Sequence, residues 1–176
     1  LGRGGIAEAP GAGKVLVDHS TTEIDETRGL AGELAKRSGM AWGDAPVSGG
    51  PGAAAAGTLA IMAGGDAAAI RTVEPVMAKL AARLTHMGPV GAGQVTKMIN
   101  QVLVLTNYAV IAEALRLGEK CGIDVSRIPE ALASGHAGSN LLKDLTPRMV
   151  GRDFAPRGFA RQVLKDLDMV HDLAKE

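Results

Sequence analysis

Aromatic residues are nearly missing from this sequence, which has one Trp, one Tyr and two Phe in 176 residues. It therefore lacks the stacking platforms that hold single-stranded nucleic acid. Net charge is missing as well. Lys plus Arg and Asp plus Glu balance at 19 each, so no field draws the chain to nucleic acid or to an acidic membrane. Cys121 is the single cysteine, which excludes an intramolecular disulfide and makes a reducing compartment, the cytoplasm, the simpler expectation. Cys121 itself falls at a helix end and is expected to be packed rather than reactive. The four histidines, His19, His86, His136 and His171, stand singly with no Cys partner, a spacing that argues against a metal site. The uncharged apolar stretch 98–112 contains Asn100, Gln101 and Asn107 and falls short of the ~20 residues of a membrane span. A soluble chain is expected.

What is present is alternation. Val15 to Asp18 is a β-branched run suited to a strand buried on both faces. A helix is expected over 22–38, stopped by Gly39, and a second strand over 40–46. Residues 48–57, SGGPGAAAAG, read as a small-residue loop. A strand over 59–63, a helix over 66–80 capped by Asp66 and a strand over 83–87 follow. This order argues for βα units and a mainly parallel sheet. After Gly88 the texture is helical throughout: 91–120, 125–134, 139–150 (where Pro147 should interrupt) and 161–175. The expected domains are an α/β portion over 1–87 and an all-helical portion over 88–176. Both ends read as cut.

Lys97 stands out on physical grounds. It is the only Lys, Arg, Asp or Glu between Arg83 and Glu113, on a helix lined nearly all round by apolar residues, the mark of a buried helix. Desolvation there disfavours the charged amine and lowers its pKa, as a general base near neutral pH requires. Asn100 and Gln101, at i+3 and i+4, share its face and can hold the amine and a substrate oxygen together. The alternative is a lysine that snorkels to the surface, with amides that tie helices together. Ser48-Gly49-Gly50 can converge backbone N–H groups and a hydroxyl on a carboxylate, or can be an ordinary turn. Gly91-Ala92-Gly93 comes near a dinucleotide fingerprint but lacks the third glycine. It reads as close packing at a helix start rather than a phosphate loop. Gly13-Lys14 is followed by Val15, so no Walker loop exists either.

Asp18-His19-Ser20-Thr21, DAPVSGG at 44–50, GAGQVTKMINQ at 91–101 and KDL at 165–167 together resemble the β-hydroxyacid dehydrogenase family, in family order and spacing. The resemblance implies a Rossmann-type α/β domain, of which only the C-terminal part lies here, followed by an all-α domain joined through a long helix. It implies hydride transfer between NAD or NADP and a small β-hydroxyacid or its semialdehyde. It gives Lys97 the general acid/base position and Asn100 a substrate-orienting one. Ser48, Gly49 and Gly50 become the carboxylate loop, and Ser20, Thr21 and Lys165 contacts to the nicotinamide side of the cofactor. It also implies a GxGxxG loop upstream of Leu1, so that residues 1–176 alone should bind dinucleotide poorly. A homodimer or homotetramer built through the helical domain is expected. The second class of reading is a non-catalytic binding or oligomerisation module derived from the same family. Ile24 replaces a customary proline, and Phe159 lies one residue closer to Lys165 than the family's aromatic, so that role is not carried over. Asn100-Gln101 leans towards sugar-acid semialdehydes as substrates. NAD against NADP is not decided by these residues.

Overall fold

The computed structural model describes residues 1–175; residue 176, the last of the expected helical portion, lies outside them. Contacts divide the chain into two units, residues 1–100 and residues from 101 on. The division falls inside the long helix, and the strands end at Gly88.

The first unit is a sheet with helices. Strand β1 (Val15–Asp18) leads through α1 (Ile24–Ser38) to β2 (Ala41–Asp44), which lies parallel to β1. Strand β3 (Val47–Ser48), α2 (Gly50–Ala56) and β4 (Leu59–Gly65) follow, then α3 (Ala67–Met77) and β5 (Ala81–Gly88), parallel to β4. Leu16 packs with Ala31, Leu34 and Trp42, whereas its neighbour Val17 packs with Ile61, Ile70 and Met77. Successive strand residues face opposite ways, so α1 and α3 cover opposite faces of the sheet. Helix α3 starts as the sequence predicts, with Asp66 Oδ1 accepting from the amides of Ala68 and Ala69. Helix α1 starts at Ile24, its first helical position, which is where a proline is favoured.

The expected mainly parallel sheet is instead mixed, because β2 and β3 both run antiparallel to β4. Residues 49–58, between β3 and β4, fall short of the dozen or so that a parallel crossover needs, so the chain turns straight back. Asp44 pairs with Gly64, Val47 with Ile61 and Ser48 with Ala60, and Met62 N donates to Pro46 O at 3.1 Å. The segment from Gly43 to Ser48 is thus one ladder in one register. Nor is 48–57 a plain loop. Its alanines, the best helix formers, build α2 between Gly49 and Gly57. Strand β1 is half-buried along its length rather than buried on both faces, since it lies at the end of the strand order.

Helix α4 (Ala92–Lys120) runs from the first unit into the second. There a 3-10 turn (Val125–Arg127) and α5 (Ile128–Ala131) replace the single helix expected over 125–134. Helix α6 (Asn140–Val150), capped by Ser139, continues through Pro147, and α7 (Ala160–Leu173) follows. Ile111, Leu115, Val125, Leu142 and Leu145 form the core of this unit. By length and composition α4 is apolar enough to cross a bilayer, but in this fold its first turns are packed against a sheet. It is not the buried helix expected. Gln94, Met98, Ile111 and Leu115 are buried, while Ile99 (57% exposed), Leu103 (61%) and Leu117 (63%) are not. The 29-residue helix outruns the 11-residue α6 that covers Ile111 and Leu115. Cys121, expected to be packed, is exposed in the turn just beyond α4.

Candidate active site

The start of α4 is built around a buried carboxylate. Asp44, at the end of β2, is completely buried; its Oδ1 accepts from Gly91 N at 2.8 Å and its Oδ2 from Gln94 N at 3.0 Å. An internal anion thus takes the place at a helix N-terminus where a bound one would sit. The contact is close enough to demand glycine: a Cβ at Gly93 would lie 2.5 Å from Met62 O and 2.7 Å from Asp44 Oδ2. This is the close packing expected of Gly91-Ala92-Gly93. The amides of Gly91 and Gln94 are engaged by the chain itself.

One turn further along, Lys97 is half-buried and its Nζ donates to Val47 O at 2.8 Å. That bond joins residues 50 apart in sequence and sets the amine beside the start of Ser48-Gly49-Gly50. Gly49 holds φ 126 and Gly50 φ 69, conformations that suit glycine and leave the loop without side-chain bulk. Asn100, three residues on from Lys97, is half-buried on the same face.

The segment after β1 meets α4 at Gln94, one turn before Lys97. Ser20 N and Oγ both donate to Asp18 Oδ1, at 2.9 and 2.5 Å, and His19 Nδ1 lies 2.7 Å from Ala45 O. Gln94 Nε2 donates to Ser20 O at 3.0 Å, while its Oε1 accepts from Thr22 N at 3.3 Å. The first unit therefore ties Ser20 and Thr22 to α4 at Gln94, and the strand residue before Ser48 to α4 at Lys97. Lys165 belongs to the second unit and is described within it. Its Nζ lies 3.2 Å from Asp166 Oδ1, and Gln101 Nε2 donates to Asp166 Oδ2 at 2.5 Å, linking α4 to α7. Gln101 is engaged there rather than only facing Lys97. Phe159, at the start of α7, is exposed, with the Arg161 guanidinium 4.5 Å from its ring centre.

Two family models match this chain. Residues 1–88 match the NAD binding domain of 6-phosphogluconate dehydrogenase, and residues 91–176 the NAD-binding region of NADP-dependent 3-hydroxyisobutyrate dehydrogenase. The chain belongs to the β-hydroxyacid dehydrogenase family. Its β-hydroxyacid dehydrogenase relatives include the 2-hydroxy-3-oxopropionate reductase of Escherichia coli, 37% identical over 99% of this chain and 60% of that protein. The 2-(hydroxymethyl)glutarate dehydrogenase of Eubacterium barkeri is 36% identical over 99% of this chain and 58% of that protein. The crystal structure of a 3-hydroxyisobutyrate dehydrogenase from Salmonella typhimurium superposes with a TM-score of 0.83 at 30% identity, covering 97% of this chain and 60% of that one. The chain thus spans about 60% of the length of these relatives. Both matching models describe NAD-binding domains, so NAD or NADP is the cofactor.

In this β-hydroxyacid dehydrogenase chain Ser20 is exposed and Thr21 half-buried, on a backbone that Gln94 pins on both sides of Thr21. The first amides of α4 do not fit the diphosphate, because Asp44 holds them. An open depression of about 700 Å³, lined by Arg28, Asp66, His86 and Val90 among others, includes none of the family-motif residues named above. Sequence reasoning passed over Asp44 and Gln94. A buried acid inside an otherwise apolar strand was the available signal for Asp44. Gln94 gave none, because its partners lie 72 to 74 residues away.

Proposed function

We propose that the complete protein catalyses reversible hydride transfer between NAD or NADP and a small β-hydroxyacid or its semialdehyde, with Lys97 as the general acid/base. The Lys97–Val47 bond carries this reading, because it sets an amine beside a glycine loop suited to a carboxylate. When bound, the nicotinamide supplies the hydride chemistry. Ser48, Gly49 and Gly50 hold the substrate carboxylate, and Asn100 orients the hydroxyl. Lys97 accepts the hydroxyl proton in oxidation and returns it in reduction. Ser20, Thr21 and Lys165 contact the nicotinamide side.

The names of the two relatives, a hydroxy-oxopropionate reductase and a hydroxymethylglutarate dehydrogenase, support carboxylates bearing a hydroxyl or carbonyl group as substrates. The exposed apolar residues of α4 support self-association as a homodimer or homotetramer through the helical portion. A cytoplasmic location accords with an exposed, unpaired Cys121. The decisive experiment is Lys97→Ala in the complete protein. Turnover should fall by about 10²–10⁴, the usual contribution of a positioned acid/base, with dinucleotide affinity nearly unchanged. A variant keeping more than about a tenth of kcat, under ~1.4 kcal/mol of barrier, would remove Lys97 from that role.

A further inference from the structure

We infer that Gln94 is a positioning residue for the dinucleotide: its buried amide fixes the Ser20–Thr22 segment to the first turn of α4, one turn before Lys97. The inference rests on the reading above for what that segment contacts. The observation behind it is independent of that reading. Residues 19–23 belong to no helix or strand, so their backbone polar groups need partners from elsewhere. Gln94 supplies them on both sides of Thr21. Its Nε2 donates to Ser20 O at 3.0 Å and to Thr22 Oγ1 at 3.3 Å, and its Oε1 accepts from Thr22 N at 3.3 Å. Thr21 is bracketed, and both of its peptide planes are held.

Gln94 is itself immobile. It is completely buried, and its own amide donates to Asp44 Oδ2 at 3.0 Å. Thr22 Oγ1 passes the constraint on to Thr27 Oγ1 at 2.9 Å, and Thr27 Oγ1 donates to Glu23 O at 2.7 Å at the start of α1. A fully buried amide is unfavourable unless its hydrogen bonds are made, and an apolar residue would fill the same volume without that cost. What the amide adds is a defined geometry. Lys97 lies three residues along the same helix face, so the segment and the amine share one frame. A shift of the segment would displace the nicotinamide face relative to Lys97, and hydride transfer tolerates little displacement.

Gln94→Met keeps the length and bulk of the side chain and removes its hydrogen bonds. In the complete protein without dinucleotide, amide hydrogen exchange at Thr22 should accelerate about tenfold or more. Calorimetric titration with NAD and with NADP should show whichever one the wild type binds weakened about tenfold, the loss of one to two neutral hydrogen bonds. The KM for the carboxylate substrate should stay within about threefold, a split that general destabilisation does not produce. If the methionine variant does not fold, Gln94→Asn, whose amide is withdrawn by one methylene, should show the same pattern. Faster exchange with unchanged dinucleotide affinity would overturn the inference, as would unchanged exchange. Lys97→Ala tests the underlying reading separately, because it alters turnover and leaves both of these measurements in place.

Discussion

The two stretches of α4, up to Asn100 and from Gln101 onward, both carry apolar residues without being wholly buried, and are used in opposite ways. In the first stretch a carboxylate caps the helix from inside, an amide grips a distant segment and an amine bonds to a strand carbonyl. In the second, one such bond stands at the start, from Gln101 to the buried Asp166; beyond it Val102, Leu103, Tyr108, Val110 and Leu117 are exposed, and a narrow stripe centred on Ile111 and Leu115 is packed. Hydrophobic composition does not distinguish them. The distinction comes from buried polar groups, whose bonds have direction and distance where apolar contacts have neither. The stretch with directional bonds is where the site residues collect.

The largest test of this contrast is Asp44→Ala. It leaves the amides of Gly91 and Gln94 buried without an acceptor, at about 1–3 kcal/mol each, so chemical denaturation should show a loss of about 2–6 kcal/mol. A loss below about 1 kcal/mol would mean that the turn is held by packing alone. Next comes Gln101→Leu in the second stretch. It removes one charge-assisted bond from the buried Asp166 while Lys165 remains beside it, so about 1.5–3 kcal/mol should be lost by the same measurement. If this loss exceeded that of Asp44→Ala, the two stretches would not differ as described. The smallest effect belongs to Leu103→Lys. An exposed side chain should change stability by no more than about 0.5 kcal/mol. The same variant should lower the sedimentation coefficient if α4 mediates self-association. An unchanged coefficient in a protein that is oligomeric would place the interface elsewhere.

Much of the fold was legible in the sequence because its signals are local. The alternation of Val15–Asp18, a helix stopped by Gly39 and a second strand needs only nearest neighbours, and so does the Asp66 cap. Two errors came from reading composition as conformation. The stretch 48–57 reads as a loop because it has almost no side-chain bulk, although alanine favours helix and Gly49 and Gly57 cap the ends of α2. Helix α4 reads as buried because it is apolar, although burial depends on what packs against it. The antiparallel pairing of β2 and β3 with β4 rests on a connection length that shows only once the strand ends are fixed. At the site, Lys97 was visible as an isolated charge on an apolar helix. Asp44 shows in the sequence only as an acid in an apolar strand and Gln94 not at all, since their roles are defined by partners about 50 and 74 residues away.

The ladder from Gly43 to Ser48 along β4 has a consequence for how this family can vary in length. Because side chains alternate along a strand, inserting or deleting one residue between Asp44 and Ser48 turns everything beyond it to the other face. Asp44 would then keep its place at α4 while Val47 and Ser48 exchanged faces, or the reverse. The turn of residues 49–58 carries no such constraint, since its ends are set by strand pairing and its interior by a short alanine helix. Length polymorphism should therefore gather after Gly50 and be absent between Asp44 and Ser48. Grafts meant to alter substrate size can be placed in that turn without disturbing the register that aligns the site.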